Sequence, residues 1–290
     1  MRGRSGVRTF LRNIWDRLTG RRRPLGFTAA TATDRGLVRA ENQDAFVCAE
    51  AAGFFCVADG MGGGEGGALA SRWTCDALAA VWADTEGQPL AARETRLGEA
   101  LQSVNGRIRA HARQQGYRVM GTTVAALLRA PEEGARARIF HVGDTRIYRL
   151  RHGRLDALTR DHTVGSELGA AMATARLDQA KALQARSNPL THVLTRAVGT
   201  ELRARPEWKT VDLQRGDRFL ICSDGVHDML SDADLAVLLK GASSPRVAVA
   251  RIEASVRHAG AGDNYTLVCA DAVCRSRPAR TRRSASLPSG

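Results

Sequence analysis

The sequence predicts an α+β fold, because apolar runs typical of strands follow one another along the chain with few helices between them. Its 290 residues, 43% of them hydrophobic, can form a sizeable core as one large domain or two small ones. Strongly basic composition is confined to the two ends of the chain. These observations together favour a single α+β domain between two basic tails.

The predicted elements follow from the spacing of the apolar residues. Strands are expected at 27–33, 45–48, 54–58, 122–128, 138–142, 146–150, 219–222 and 265–270. Helices are expected at 68–83, 90–113, 232–239 and 245–258. An alanine-rich segment at 164–187 predicts a short helical insertion over one face. Because most strands are not separated by helices, the order argues against a wound parallel sheet.

The two ends carry nearly all of the net charge. Of 43 basic and 30 acidic residues, 1–24 and 275–290 hold thirteen arginines and one aspartate, which leaves 30 basic against 29 acidic residues between them. The body therefore shows no sign of a nucleic-acid groove, and no nucleic-acid partner is expected. Residues 274–290 have the composition of a disordered tail. Residues 1–24 predict either solvated disorder or a weak contact with a membrane surface or an acidic partner, because apolar residues share one helical face among arginines.

The composition indicates a cytoplasmic protein. The longest strictly apolar run, 77–83, is far shorter than the ~18 residues of a membrane-spanning helix. No continuous apolar segment near the N-terminus is typical of a signal peptide. The six cysteines form no CxxC pair and most lie in apolar runs, which is typical of buried free thiols rather than of a zinc site or a catalytic cysteine.

Three aspartates lie beside apolar runs, at Asp59-Gly60, Asp224-Gly225 and Asp263-Asn264. One such dipeptide is more often a plain turn than a ligand. Three of them can gather carboxylates around a hard cation such as Mg²⁺ or Mn²⁺, which prefers oxygen ligands. The residues therefore predict metal-dependent hydrolysis.

Eight motifs in order carry a family resemblance. They are VRAENQDAF (38–46), VADGMGGGEGG (57–67), GTTVAAL (121–127), HVGDTRIYRL (141–150), LTRDHT (158–163), VLTRAVGT (193–200), ICSDGVHDML (221–230) and GAGDNYTLV (260–268). Over about 25–273 the chain resembles the bacterial type 2C metal-dependent serine/threonine protein phosphatases of the PPM family. The resemblance implies a four-layer αββα sandwich of two antiparallel sheets flanked by helices, in which 164–187 forms a flap.

The resemblance also implies a centre with two Mn²⁺ or Mg²⁺ ions and a weaker third. Asp59 matches the carboxylate that bridges the two ions, and Gly60 the residue whose carbonyl binds one of them. Asp224 and Asp263 match terminal ligands. Asp144 matches a ligand of the third ion, with Asp224 and Asp228 as its partners.

Two further residues match catalytic positions, and two departures affect the mechanism. Arg39 matches the arginine that holds the substrate phosphate, and Asp44 an aspartate that supports metal-bound water. Gln43 stands where animal relatives have a glutamate. The histidine that acts as general acid in relatives is replaced by Met61 or Gly64.

The implied activity is hydrolysis of phosphoserine and phosphothreonine on proteins by a metal-bridging hydroxide, without a phosphoenzyme, in opposition to a bacterial serine/threonine kinase. Ser223 lacks the motif of a serine nucleophile, and His141, His162 and His227 are expected to be structural. One alternative is a catalytically weak, phosphatase-like binding or regulatory module. Another is a different metallohydrolase that acts on small phosphoesters or phosphodiesters.

Overall fold

Two antiparallel sheets of five strands pack face to face in the computed structural model, which describes residues 25–130, 135–174 and 189–274. Helices cover the outer face of each sheet. The α+β class and the four-layer sandwich are therefore confirmed. Residues 1–24, 131–134, 175–188 and 275–290, which include the predicted tails and part of the predicted flap, lie outside the described residues.

The first sheet has the strand order β1-β12-β11-β8-β9. Its strands are β1 (Leu25–Asp34), β8 (Arg146–Arg151), β9 (Arg154–Ala157), β11 (Arg218–Cys222) and β12 (Tyr265–Cys274). The second sheet has the order β10-β7-β6-β3-β2. Its strands are β2 (Ala45–Ala49), β3 (Phe54–Ala58), β6 (Val124–Ala130), β7 (Arg136–Val142) and β10 (Glu207–Asp212). The short strands β4 (Gly60–Gly62) and β5 (Met120–Thr122) form a separate pair.

Strand β3 shows how the sequence produces the layers. All five of its residues are buried, so the strand is apolar along its whole length instead of alternating with polar residues. Phe54 and Cys56 pack with the helices on the outer face, while Phe55 and Val57 pack into the core between the sheets. Because side chains alternate across a strand, one apolar run contributes to two cores.

Helices cover the outer faces of both sheets, and some of their ends have caps in the sequence. The second sheet is covered by α1 (Gly66–Asp84) and α2 (Leu90–Gln115), and the first by α5 (Asp232–Lys240) and α6 (Pro245–His258). The segment 164–187, for which a flap is predicted, begins with α3 (Val164–Thr174), and α4 (Asp224–His227) is a single turn. Ser231 accepts from the backbone N–H of Asp234 and completes a capping box. Gly116, with φ +68°, terminates α2.

Several predicted boundaries differ from the structure. The strand expected at 122–128 is interrupted at Thr123, whose backbone N–H donates to the carbonyl of Asp59 at 2.8 Å. Strands β4, β9 and β10 were not predicted. β12 extends to Cys274, which the prediction had assigned to the tail, and pairs it with Leu25.

The helices and the cysteines bear on two further predictions. In the described part of the chain, no helix is long and apolar enough to cross a membrane. All six cysteines are free, and Cys56, Cys75, Cys222 and Cys269 are buried. The prediction of unpaired, mostly buried thiols is confirmed.

Candidate active site

The predicted metal-binding aspartates meet where strands of both sheets end. Asp59 follows β3 in the second sheet, Asp224 follows β11 in the first, and Asp263 precedes β12 beside β11. The three strands contact one another across the sandwich. Residues that are far apart in sequence therefore share one acidic cluster because the two sheets are packed together.

The carboxylates of this cluster repel one another strongly. Burial raises the pKa of Asp59 well above its usual range, and the charges of Asp44, Asp224 and Asp144 raise it further. The pKa of Asp224 is also raised, chiefly by burial and partly by Asp228 and Asp263. The carboxyl of Asp59 can donate to that of Asp224 only while it holds a proton, and this pairing also raises the pKa of Asp59. Such crowding of buried negative charge is costly unless a cation compensates for it.

His227 connects the two aspartates that were assigned to a third ion. Its Nε2 lies 3.1 Å from the backbone carbonyl of Asp144, and its Nδ1 lies 3.3 Å from Oδ1 of Asp228. This contact is the largest cause of a lowered pKa for Asp228. Burial, followed by the charge of Asp224, raises the pKa of Asp144 to about 7. His227 was expected to be structural, and these contacts give it a specific position within the site.

Asp44 lies beside the cluster and is supported by a hydroxyl group. The Oγ of Ser223 donates to Oδ2 of Asp44 at 2.8 Å and accepts from the backbone N–H of Thr266 at 2.9 Å. The other oxygen of Asp44, Oδ1, is buried without a hydrogen-bond partner. Burial raises the pKa of Asp44 to about 7, although the hydrogen bonds from Ser223 and Thr266 oppose the rise. Ser223 is therefore engaged as a hydrogen-bond donor and is not poised as a nucleophile.

Arg39 lies at the rim of the cluster. Its side chain is 57% exposed, and its Nη2 donates to Oδ2 of Asp263 at 2.6 Å. The hydrogen bond and the charge of Asp263 raise the pKa of Arg39. An exposed guanidinium beside an acidic cluster remains accessible to an incoming anion.

The turn after Asp59 requires glycine for close backbone packing. A Cβ at Gly60 would lie 2.2 Å from the carbonyl oxygen of Gly67 and 2.4 Å from that of Gln43. The side chain of Gln43 donates to the carbonyl of Gly64 at 2.9 Å, so it fastens the same turn. Neither Met61 nor Gly64 carries a group that could act as a general acid.

The donor set fits hard divalent cations. It consists of carboxylates and backbone carbonyls, which are the ligands that Mg²⁺ and Mn²⁺ prefer. Asp44 Oδ1 is a buried acceptor without a partner, and it can receive a hydrogen bond from a water molecule of a bound ion. Arg39 is too exposed to neutralise the buried carboxylates. The assignment of individual aspartates to individual ions stays a prediction.

A second group of ligating side chains lies outside this cluster, at His141, His162 and Glu207. The Nδ1 of His162 accepts from the backbone N–H of Gly143 at 3.1 Å, so in the neutral ring Nε2 carries the proton. That nitrogen faces Glu207 at 3.5 Å and lies 3.3 Å from Arg196. The two imidazoles stack with centroids 4.4 Å apart. This geometry favours two stacked histidines with hydrogen bonds to other groups over a metal site, in agreement with the expected structural role.

Comparison with known proteins shows the family of the chain. The family model described as Protein phosphatase 2C matches residues 37–255. A serine/threonine protein phosphatase PstP from Mycobacterium tuberculosis is 35% identical over 84% of this chain, and the match spans 45% of that protein. A serine/threonine phosphatase stp from Listeria innocua is 32% identical over 72% of this chain and 81% of its own length.

A solved structure, the catalytic domain of PstP in complex with two manganese ions, is 33% identical to this chain. It superimposes with a TM-score of 0.72 over 86% of this chain and 99% of that domain. The shared fold therefore extends over nearly all of the described residues. The chain spans less than half the length of the mycobacterial relatives that it matches.

Proposed function

The chain belongs to the protein phosphatase 2C family, and on that premise we propose that it hydrolyses phosphoserine and phosphothreonine residues of proteins with two bound divalent cations. The observation that supports this function best is the buried acidic cluster, formed by strand ends of both sheets, with Arg39 exposed at its rim. The names of the relatives, which are serine/threonine phosphatases, agree with it.

The proposed ligands are oxygen donors of the cluster. Two Mn²⁺ or Mg²⁺ ions would be held by Asp59, the Gly60 carbonyl, Asp224 and Asp263. A weaker third ion would be held by Asp144 together with Asp224 and Asp228. The raised pKa values of Asp59, Asp144 and Asp224 support these roles, because ligands with crowded negative charge gain most from a cation.

When bound, such ions supply positive charge against the phosphoryl group and lower the pKa of water toward neutrality. Arg39 presents a planar guanidinium that can bind two phosphate oxygens. Asp44, held by the hydroxyl of Ser223, orients the attacking water. Since that hydroxyl is already engaged, water attacks phosphorus directly and no phosphoenzyme forms. The departing serine or threonine oxygen takes its proton from a water molecule, because Met61 and Gly64 cannot supply one.

The proposed setting is the cytoplasm, where the substrates are phosphoproteins made by a cognate serine/threonine kinase. Free cysteines agree with a reducing compartment. The arginines of 1–24 are proposed to make a weak contact with a membrane surface or an acidic partner. No nucleic-acid substrate is proposed, because the charges of the body are nearly balanced.

The alternative is a catalytically weak binding or regulatory module. Such a module has no need of the metal ligands, whereas aspartate is present at every one of the five carboxylate ligand positions. The phosphatase is therefore the better supported proposal.

The decisive experiment measures phosphate release from a phosphothreonine peptide with Mn²⁺, Mg²⁺ or EDTA. We expect release by the wild type with either ion and none with EDTA. Asp59→Asn should reduce release by at least about 100-fold, because it removes a carboxylate that would hold the ions. The matched control is Asp76→Asn, on the exposed side of α1, which should behave as the wild type.

Two outcomes would overturn the proposal. If folded, metal-loaded wild type released no phosphate but bound the peptide, the chain would be a binding module. If Asp59→Asn released phosphate as fast as Asp76→Asn, the centre of the chemistry would lie elsewhere.

A further inference from the structure

Two large apolar side chains stand exposed directly before Arg39. Leu37 is 63% exposed and Val38 is 73% exposed. Single exposed apolar residues are normal on a protein surface. Among the described residues, the other large apolar side chains of comparable exposure lie singly in the sequence, whereas these two are consecutive. We call them the apolar pair.

The loop that carries the apolar pair is held firmly at its base. The backbone N–H of Leu37 donates to the carbonyl of Ala261 at 2.9 Å. The side chain of Asn264 donates to the carbonyls of Arg35 at 3.0 Å and Glu41 at 2.8 Å, on either side of the pair. The pair is therefore displayed on a fixed frame and does not depend on a mobile loop for its exposure.

Gly36 explains why the loop approaches the site so closely. Its φ is +74°, and a Cβ at this position would lie 2.2 Å from the carbonyl oxygen of Asp263. The backbone directly before the pair thus touches the backbone of a proposed metal ligand. The apolar pair and the acidic cluster are parts of one rigid surface.

The apolar pair lies close to Arg39 along the sequence. Consecutive Cα atoms are about 3.8 Å apart, so both members of the pair lie within about 8 Å of the Arg39 backbone. If Arg39 holds the phosphate of a substrate, the residues flanking the phosphorylated residue pass at a similar distance. Leu37 and Val38 are thus the exposed apolar side chains that adjoin Arg39 in the sequence, on the path open to those flanking residues.

We propose that Leu37 and Val38 bind an apolar side chain that flanks the phosphorylated residue of the substrate. The inference rests on the proposed phosphatase function and narrows its substrates to phosphoproteins with leucine, isoleucine, valine or methionine next to the phosphoresidue. Contact between apolar side chains removes water from both surfaces, which favours such substrates.

The test compares two phosphothreonine peptides that differ only in the flanking residues, leucine in one and glycine in the other. The readout is the ratio of their kcat/KM values, in which a general change in catalysis cancels. The wild type should prefer the leucine peptide by about tenfold, equivalent to about 1.4 kcal/mol. Leu37→Ser with Val38→Ser should bring the ratio close to one. The matched control, Leu202→Ser with Val237→Ser, changes exposed apolar residues elsewhere and should keep the wild-type ratio.

The inference is wrong if the wild type shows no preference, or if the Leu37/Val38 variant keeps it. Sedimentation velocity tests whether a second copy of this chain covers the apolar pair. If the wild type formed a dimer and the Leu37/Val38 variant did not, the inference would also be overturned. Hydrolysis of p-nitrophenyl phosphate by the wild type tests the proposed function separately from the inference, because this small substrate has no flanking residues. If it is cleaved while the peptide preference is absent, the proposed function stands and the inference fails.

Discussion

The two oxygens of Asp44 have unlike surroundings. Oδ2 accepts a hydrogen bond from Ser223, while Oδ1 is buried without a partner. Burial raises the pKa of this carboxyl to about 7, and burial together with Asp224 does the same for Asp144. In the absence of cations, both groups therefore exchange protons near neutral pH. Protons and cations compete for the same cluster.

The affinity for Mn²⁺ should consequently rise with pH between 6 and 8. Below pH 7 the two carboxyls hold protons that a cation must displace, and above pH 7 they are ionised. Each displaced proton changes the affinity by up to about tenfold per pH unit. Calorimetric titration of metal-free protein with Mn²⁺ at pH 6, 7 and 8 measures this slope. Asp44→Asn should flatten it, and an equal slope in this variant would rule out a contribution from Asp44.

Individual residues of the site differ in how predictable they were. The aspartates stand beside apolar runs in motifs, so their gathering could be anticipated. Ser223, Asn264 and His227 could not be assigned contacts, because a buried serine, asparagine or histidine has no distinctive spacing. Several of their partners are distant in sequence and become neighbours only in the fold: Asp44 is 179 residues from Ser223, and Asp144 is 83 residues from His227.

At the scale of elements, apolar strands were predicted, including the edge strands β1 and β2, whereas the edge strands β9 and β10 were not. β3 is apolar throughout, and its predicted bounds agree with the structure. β9 and β10, at the edges of the two sheets, have the sequences RLDA and EWKTVD: the first is only four residues long, and the second lacks a regular alternation of apolar and polar residues. Edge strands are stabilised by one neighbour and tolerate charge, so apolar patterning is a poor guide to them.

Arg218 joins three elements through one guanidinium. Its Nε and Nη2 donate to the carboxylate of Asp271 at 2.6 and 2.7 Å, which links β11 to β12. Its Nη1 donates to the carbonyls of Leu239 and Ala242 at the end of α5. The side chains of Arg218 and Asp271 are 10% and 20% exposed, so little water can replace these bonds.

Arg218→Met should lower the free energy of unfolding by about 3 kcal/mol, because it leaves a largely buried carboxylate unpaired. Urea denaturation followed by circular dichroism measures the change. Arg205→Met, which breaks an exposed pair with Glu201, serves as the control and should change stability little. Equal effects of the two substitutions would mean that the Arg218 network adds nothing beyond a surface ion pair.

At the scale of the whole molecule, the acidic cluster draws ligands from both sheets. Asp59 belongs to the second sheet, and Asp224 and Asp263 belong to the first. A cation held by all three would cross-link the two halves of the sandwich. Without one, the raised pKa of Asp59 means that its ionised form opposes folding above its normal pKa.

Mn²⁺ should therefore stabilise the wild type. The substitution Asp59→Asn should raise the melting temperature relative to the wild type without Mn²⁺ and lower it with Mn²⁺. At 100 times the dissociation constant, a bound ligand contributes about 2.7 kcal/mol, roughly 5–10 °C in Tm for a domain of this size. In EDTA at pH 7.5 the variant should melt above the wild type, because the amide removes repulsion. In Mn²⁺ the order should reverse. Differential scanning calorimetry measures both, and an unchanged order in the two conditions would contradict a cation shared between the sheets.

The pairing of β1 with β12 sets Leu25 opposite Cys274. Paired residues of antiparallel strands have Cα atoms about 5 Å apart, so the arginine-rich segments 1–24 and 275–290 are tethered to one spot on the surface. An anionic surface that bound one segment would hold the other nearby at millimolar effective concentration. Segments at opposite ends of the sequence would thus act as a bivalent attachment, with an avidity that neither has alone.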